Sequence, residues 1–126
     1  MRAIVDTGPI VAFFDRSERH HRWTAERIEE LDAPLLVCEA VLTEALFLLG
    51  RFPKAQDALF GLLQSGALVV AFRLEENVAA LHRLLRKYRD TPMSLADACV
   101  DYDFTVCYRK HRRFAIAPLY PASTPG

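Results

Sequence analysis

The chain has 126 residues, 52% of them hydrophobic and 25% charged, enough for one domain with a single sizeable core. Sixteen basic residues balance sixteen acidic ones, so no overall field marks a nucleic-acid binder and any such surface must be local. No apolar run is long enough to cross a bilayer, no signal-peptide pattern follows Met1-Arg2, and Cys38, Cys99 and Cys107 lack the spacing of a disulfide framework or a zinc site. The default expectation is therefore a cytoplasmic protein with reduced thiols.

Ala3-Ile4-Val5 reads as a buried strand, followed at once by Asp6-Thr7-Gly8-Pro9. Pro9 suits the first position of a helix running to Phe14, where no backbone N–H is needed. An acid just past a strand can point into the crevice where α/β proteins bind ligands. Taken alone, however, Asp6 or Thr7 is accounted for by a helix cap or an Asx-turn. Residues 18–31 form a second, largely solvated helix with Ala25, Ile28 and Leu31 inward. Adjacent His20 and His21 diverge on such a helix and make a poor chelating pair.

Residues 34–38 read as a second buried strand, and 40–49 as a helix that is apolar nearly all round and mostly interior, stopped by Gly50. Its one ionisable group is Glu44. A buried carboxylate is costly unless protonated, paired or bound to a cation, which makes Glu44 the most informative single residue. An amphipathic helix over 53–64 ends before Gly66, and 68–72 is a third strand. In the helix over 77–89, Val78, Leu81, Leu85 and Tyr88 face inward, while Arg83, Arg86, Lys87 and Arg89 form either a wet face or a phosphate-holding one.

Ser94-Leu95-Ala96-Asp97 fits a capping box, a structural role that competes with any chemistry at Asp97. Asp101-Tyr102-Asp103-Phe104 follows, then the basic cluster Arg109, Lys110, His111, Arg112 and Arg113. Residues 114–119 form a last strand, edge-like because of Pro118. The domain is expected over 1–120, with 121–126 an unstructured tail. Alternating strands and helices predict a three-layer α/β/α fold with a mainly parallel sheet and right-handed connections.

Asp6, Glu44, Asp97 and either Asp101 or Asp103 then share the strand ends or helix starts. Carboxylates repel one another unless a cation lies between them, and hard ions such as Mg²⁺ bind such oxygens. A site of that kind can activate a water and clamp the oxygens of a phosphodiester.

These pieces together resemble the PIN-domain ribonucleases, in particular the toxin halves of VapBC-type toxin–antitoxin pairs. The matching motifs are Ile4-Val5-Asp6-Thr7-Gly8-Pro9, Val41-Leu42-Thr43-Glu44, Leu95-Ala96-Asp97-Ala98 and Asp101-Tyr102-Asp103-Phe104, in that order over most of the chain. The resemblance implies a metal-dependent endoribonuclease acting on RNA, silenced by a cognate antitoxin and commonly homodimeric. It also implies that Asp6, Glu44 and Asp97 hold Mg²⁺ or Mn²⁺, with Asp101 matching the first acid of the family's T-x-D-x-D-F element. Arg83, Arg86, Lys87, Arg109, Lys110 and Arg112 would position the RNA backbone.

One departure stands out. In the family a helix and then a parallel strand separate the third acid from the fourth, but only Ala98, Cys99 and Val100 lie between Asp97 and Asp101. A crossover between parallel strands needs about a dozen residues. Residues absent between Val100 and Asp101 would explain this better than a natural truncation. In a continuous chain, Asp97 and Asp101 share a helix face at i, i+4.

Among rivals, a receiver domain needs an acidic pair beside the first strand, and a haloacid-dehalogenase phosphatase needs D-x-D where Gly8 stands. No Walker loop or G-x-G-x-x-G is present. The strongest alternative is a PIN-like module that binds RNA or protein without cutting.

Overall fold

The apolar run after Met1 forms β1 (Arg2–Ile4), and Val5 continues its pairing by donating its N–H to Leu36 O at 2.8 Å. The structure is a computed structural model describing the backbone of residues 2–91, 93–111 and 114–116 and the side chains of 3–91 and 93–104. After β1 come α1 (Thr7–Phe14), α2 (His21–Glu29), β2 (Leu35–Val37), α3 (Glu39–Leu48) and α4 (Pro53–Ser65). β3 (Leu68–Val70), a single 3-10 turn at Leu74–Glu76, α5 (Val78–Lys87), α6 (Leu95–His111) and β4 (Phe114–Ile116) complete the order. No helix among the described residues is long and apolar enough to cross a membrane.

The four strands are parallel in the order β3-β2-β1-β4. The chain steps outward from β1 to β3, then returns past β2 and β1 to place β4 on the far side. Ile4 lies opposite Leu36 on one flank and opposite Ile116 on the other. The carboxyl end of β1 is therefore the topological switch point, where connections leave in opposite directions and open a crevice. Right-handed crossovers that advance one way and then reverse lay helices on both faces of the sheet, as expected for a three-layer α/β domain. Ile4, Val5, Val37, Val41, Ala45, Leu59 and Ala98 form the centre of the core and are all sealed from water.

Several expectations need correction. Pro9 is the third residue of α1, not the first, because Asp6 rather than Gly8 caps the helix. Its missing N–H still falls among the first-turn amides that have no intrahelical partner. Helix α3 is interior only along Val41, Ala45 and the following Leu49, where it packs on α1 and α6. Phe47 is 83% exposed and Leu48 lies largely in water, so the all-round apolar pattern overstated the helix's burial.

Helix α5 turns only Leu81 fully inward. Val78 is 57% and Tyr88 39% exposed, because the helix starts at Val78 and ends at Lys87, which leaves both at its margins. His21 is not merely solvated, since its Nδ1 sits 2.7 Å from Ala12 O and ties α2 to α1. Helix α6 runs through Val100 and Asp101, so Asp97 and Asp101 stand at i, i+4 on one helix. Arg112, Arg113, Pro118 and the tail lie outside the described residues, as do the side chains of Cys107, Arg109 and Lys110.

Gly66 ends α4 in the left-handed region at φ 81°, and a Cβ added there meets nothing within 4 Å. The penalty for a side chain is therefore purely backbone. Gly66→Ala should cost about 1–2 kcal/mol and Gly66→Asn less, read as urea midpoints at unchanged m-value. Equal midpoints for all three proteins would contradict this assignment.

Candidate active site

Asp6 leaves the sheet at the switch point and caps α1, with extended backbone angles and Oδ1 accepting the Thr7 N–H at 2.7 Å. The local role of a helix cap is thus real. The next residue extends it across the fold: Thr7, 8% exposed, donates its hydroxyl to Glu44 Oε2 at 3.0 Å. Glu44 sits on α3 between the inward Val41 and Ala45 and is half-buried, not sealed in the core. That bond holds the glutamate against the start of α1, thirty-seven residues earlier in the chain. The sequence alone suggests for Thr7 only a cap or turn. A hydroxyl beside an acid whose partner is remote in sequence leaves no local signal.

Asp97 realises the capping box at the start of α6. Its N–H donates to Ser94 Oγ at 3.0 Å, and the Ser94 N–H donates to Asp97 Oδ2 at 3.1 Å. The residue is exposed, yet its charge reaches Asp6. Burial raises the Asp6 pKa above its ordinary value and the Thr7 amide partly offsets this, while Asp97 and then Glu44 push it further up. The charges acting on Asp6 are both negative. Asp6, Glu44 and Asp97 are therefore brought into one electrostatic neighbourhood from three separate elements.

The fourth acid does not join them in the same way. Asp101 lies one turn beyond Asp97 on α6, is exposed, and is not among the charges that shift Asp6. Asp103 is 7% exposed and acts instead on two core thiols. Cys38, which caps α3, and Cys99 on α6 share a hydrogen bond, and burial followed by neighbouring charge pushes both thiols up. Such thiols are packing groups, not nucleophiles. Arg83, Arg86 and Lys87 are exposed on α5.

Among the described residues, no three histidine, cysteine, aspartate or glutamate ligands stand close enough to chelate an ion as they are. Thr7 and Ser94 currently hold the acids' oxygens. The donor set still fits a hard divalent cation: it is all oxygen, net negative and self-repelling at Asp6. An apolar cavity of about 230 Å³ lies elsewhere, between α1, α2 and α4, and is lined by Ile10, Phe14, Ile28, Leu59 and Leu62.

A parallel α/β domain with acids gathered at the switch point beyond its first strand is the class of fold and site defined here. The family model of the PIN domain matches residues 3–100, and the chain belongs to that family. Among solved structures it is similar to the Mycobacterium tuberculosis toxin VapC20, described as cleaving the sarcin-ricin loop. That match has a TM-score of 0.70 at 19% identity and covers 86% of this chain and 82% of that one.

The raised Asp6 pKa has a consequence for stability. The folded protein holds this proton more tightly than the unfolded chain, so the contribution is fully present below pH 3.8 and is lost as pH rises through the folded-state value. Asp6→Asn keeps an oxygen to cap α1 but carries no charge. It should be more stable than the wild type at pH 7 by up to about 1 kcal/mol, with the difference shrinking as pH falls towards 4. A variant less stable at pH 7, or a difference independent of pH in denaturant titrations, would contradict this.

Proposed function

We propose that this protein is a Mg²⁺-dependent endoribonuclease, the toxin of a type II toxin–antitoxin pair. The observation that carries the proposal is the Thr7 bridge that ties Glu44 to the start of α1 beside Asp6 at the switch point, where burial first, and then the charges of Asp97 and Glu44, raise the Asp6 pKa. Membership of the PIN family and the fold shared with a sarcin-ricin loop cleaving toxin support it. Asp6, Glu44 and Asp97 would hold Mg²⁺ or Mn²⁺, with Asp101 one helical turn away as the outer acid. When bound, such an ion lowers the pKa of a water and offsets charge on the phosphodiester. Thr7 keeps Glu44 in place, and the cationic face of α5, with Arg109, Lys110 and Arg112 further along the chain, orients the RNA backbone. A cognate antitoxin, a homodimeric assembly and a cytoplasmic location belong to the same proposal, as does a domain spanning 1–120.

One observation favours a PIN-like module that binds RNA or protein without cutting: Asp101 lies exposed on α6 and is not among the charges that shift Asp6. The two readings separate in a cleavage assay on single-stranded and structured RNA. The nuclease cuts with Mg²⁺, stops with EDTA, and loses at least about 100-fold in rate in Asp6→Asn and Glu44→Gln, on the scale of one lost electrostatic stabiliser. Equal cutting by all three proteins would identify a contaminant, and RNA binding without metal-dependent cutting would establish the module.

Thr7→Val should lower the rate about 10-fold at unchanged RNA affinity, because only the hold on Glu44 is removed, while Thr7→Ser restores it. A Thr7→Val enzyme as fast as the wild type would remove Thr7 from the site.

A further inference from the structure

We propose that the C-terminal end of α5 is a docking track for single-stranded RNA, with Tyr88 as a base-stacking platform and Arg83, Arg86, Lys87 and Arg89 holding the phosphates. This deepens the nuclease reading and rests on it for the identity of the polyanion. Arg83, Arg86 and Lys87 stand at i, i+3 and i+4, so their side chains share one face of the helix. All are exposed, and none makes a salt bridge among the described residues, where the surface pairs are Arg22–Glu26, Arg27–Glu30 and Arg73 with Glu75 and Glu76. Like charges at this spacing destabilise a helix, so the stripe calls for an external counter-charge.

The helix dipole accounts for Arg86 and Lys87 in the last turn, but not for Arg83 a turn earlier or Arg89 beyond the end. Tyr88 supplies the second feature. It is 39% exposed at the helix end, with Lys87 Nζ 5.4 Å from its ring centroid. An exposed aromatic ring beside several cations outside any salt bridge is what single-strand binders use: rings stack bases of any sequence while cations follow the backbone. A duplex would offer no free base to the ring, which favours single strands.

Position links the track to the acids. Helix α5 packs on α6, and the chain turns directly from one to the other, with the Thr91 N–H bonded to Tyr88 O at 3.0 Å. Ser94 and Asp97 then open α6. RNA laid along the end of α5 is delivered towards the acid-bearing start of α6.

The test is fluorescence anisotropy of a short labelled single-stranded RNA against the full chain in EDTA, where nothing is cut. Tyr88→Ala should weaken binding about 5- to 100-fold and Tyr88→Phe should restore it. Replacing Arg83, Arg86 and Lys87 together by Ser should lower the slope of log affinity against log salt by about 2, on the scale of 0.7 per lost phosphate contact. Unchanged affinity in Tyr88→Ala, an unchanged salt slope in the triple variant, or binding to polyglutamate as tight as to RNA would each overturn the proposal. Because EDTA separates binding from cutting, a track that fails here leaves the metal-dependent cleavage of the wild type intact. A track that holds in a protein that never cleaves sinks the nuclease reading instead.

Discussion

The candidate site depends on Asp6, a carboxylate partly buried at the carboxyl end of β1, where Asp97 and Glu44 add like charge to the cost of burial. Asp6 would relax by moving away from Glu44 and Asp97, yet each acid is pinned by a neighbour that serves the fold. The Thr7 amide fixes Asp6 as the cap of α1, the Thr7 hydroxyl fixes Glu44 on α3, and the Ser94 box fixes Asp97 at the start of α6. Three helices therefore begin or pass at the switch point with acids that electrostatics alone would separate. Concentrating charge in this way costs some stability, a pattern common at active sites.

Much of this was legible in the residues. The apolar runs before Asp6 and at Leu35–Val37 became parallel strands because their β-branched and aliphatic side chains have no polar alternation, the mark of a strand buried on both faces, while the run at Leu68–Val70 became an edge strand with Val70 exposed. The Ser94–Asp97 box formed as its spacing dictates, since a capping box depends only on residues three apart. What stayed hidden was set by tertiary packing. Nothing local says that α3 meets its neighbours along Val41 and Ala45 while Phe47 faces water, or that Tyr88 falls just beyond the end of α5. The Thr7–Glu44 bond joins distant positions and has no periodic signature.

The path from Asp97 to Asp101 is a single stretch of helix α6. With the helix and strand implied by the resemblance absent, α6 simply continues through Asp101 to His111, and β4 takes the place beside β1 that closes the sheet. The registers of Arg2 with Phe114 and Ile4 with Ile116 show that this flank is fully paired. The cost falls on the fourth acid, which is carried along a helix side instead of being set at a strand end. Asp103, two residues on and therefore on the opposite side of the helix, is buried beside the Cys38–Cys99 layer of the core.

All of this turns on whether the three acids together hold a divalent ion. Thermal unfolding with increasing Mn²⁺ measures that directly, because a ligand bound only by the folded state raises Tm in proportion to the logarithm of its concentration. The account predicts a saturable site whose Tm rise is seen in the wild type and abolished in Glu44→Gln, with Ca²⁺ and monovalent salt at matched ionic strength giving less. A wild-type Tm indifferent to Mn²⁺, or an equal rise in Glu44→Gln, would contradict it.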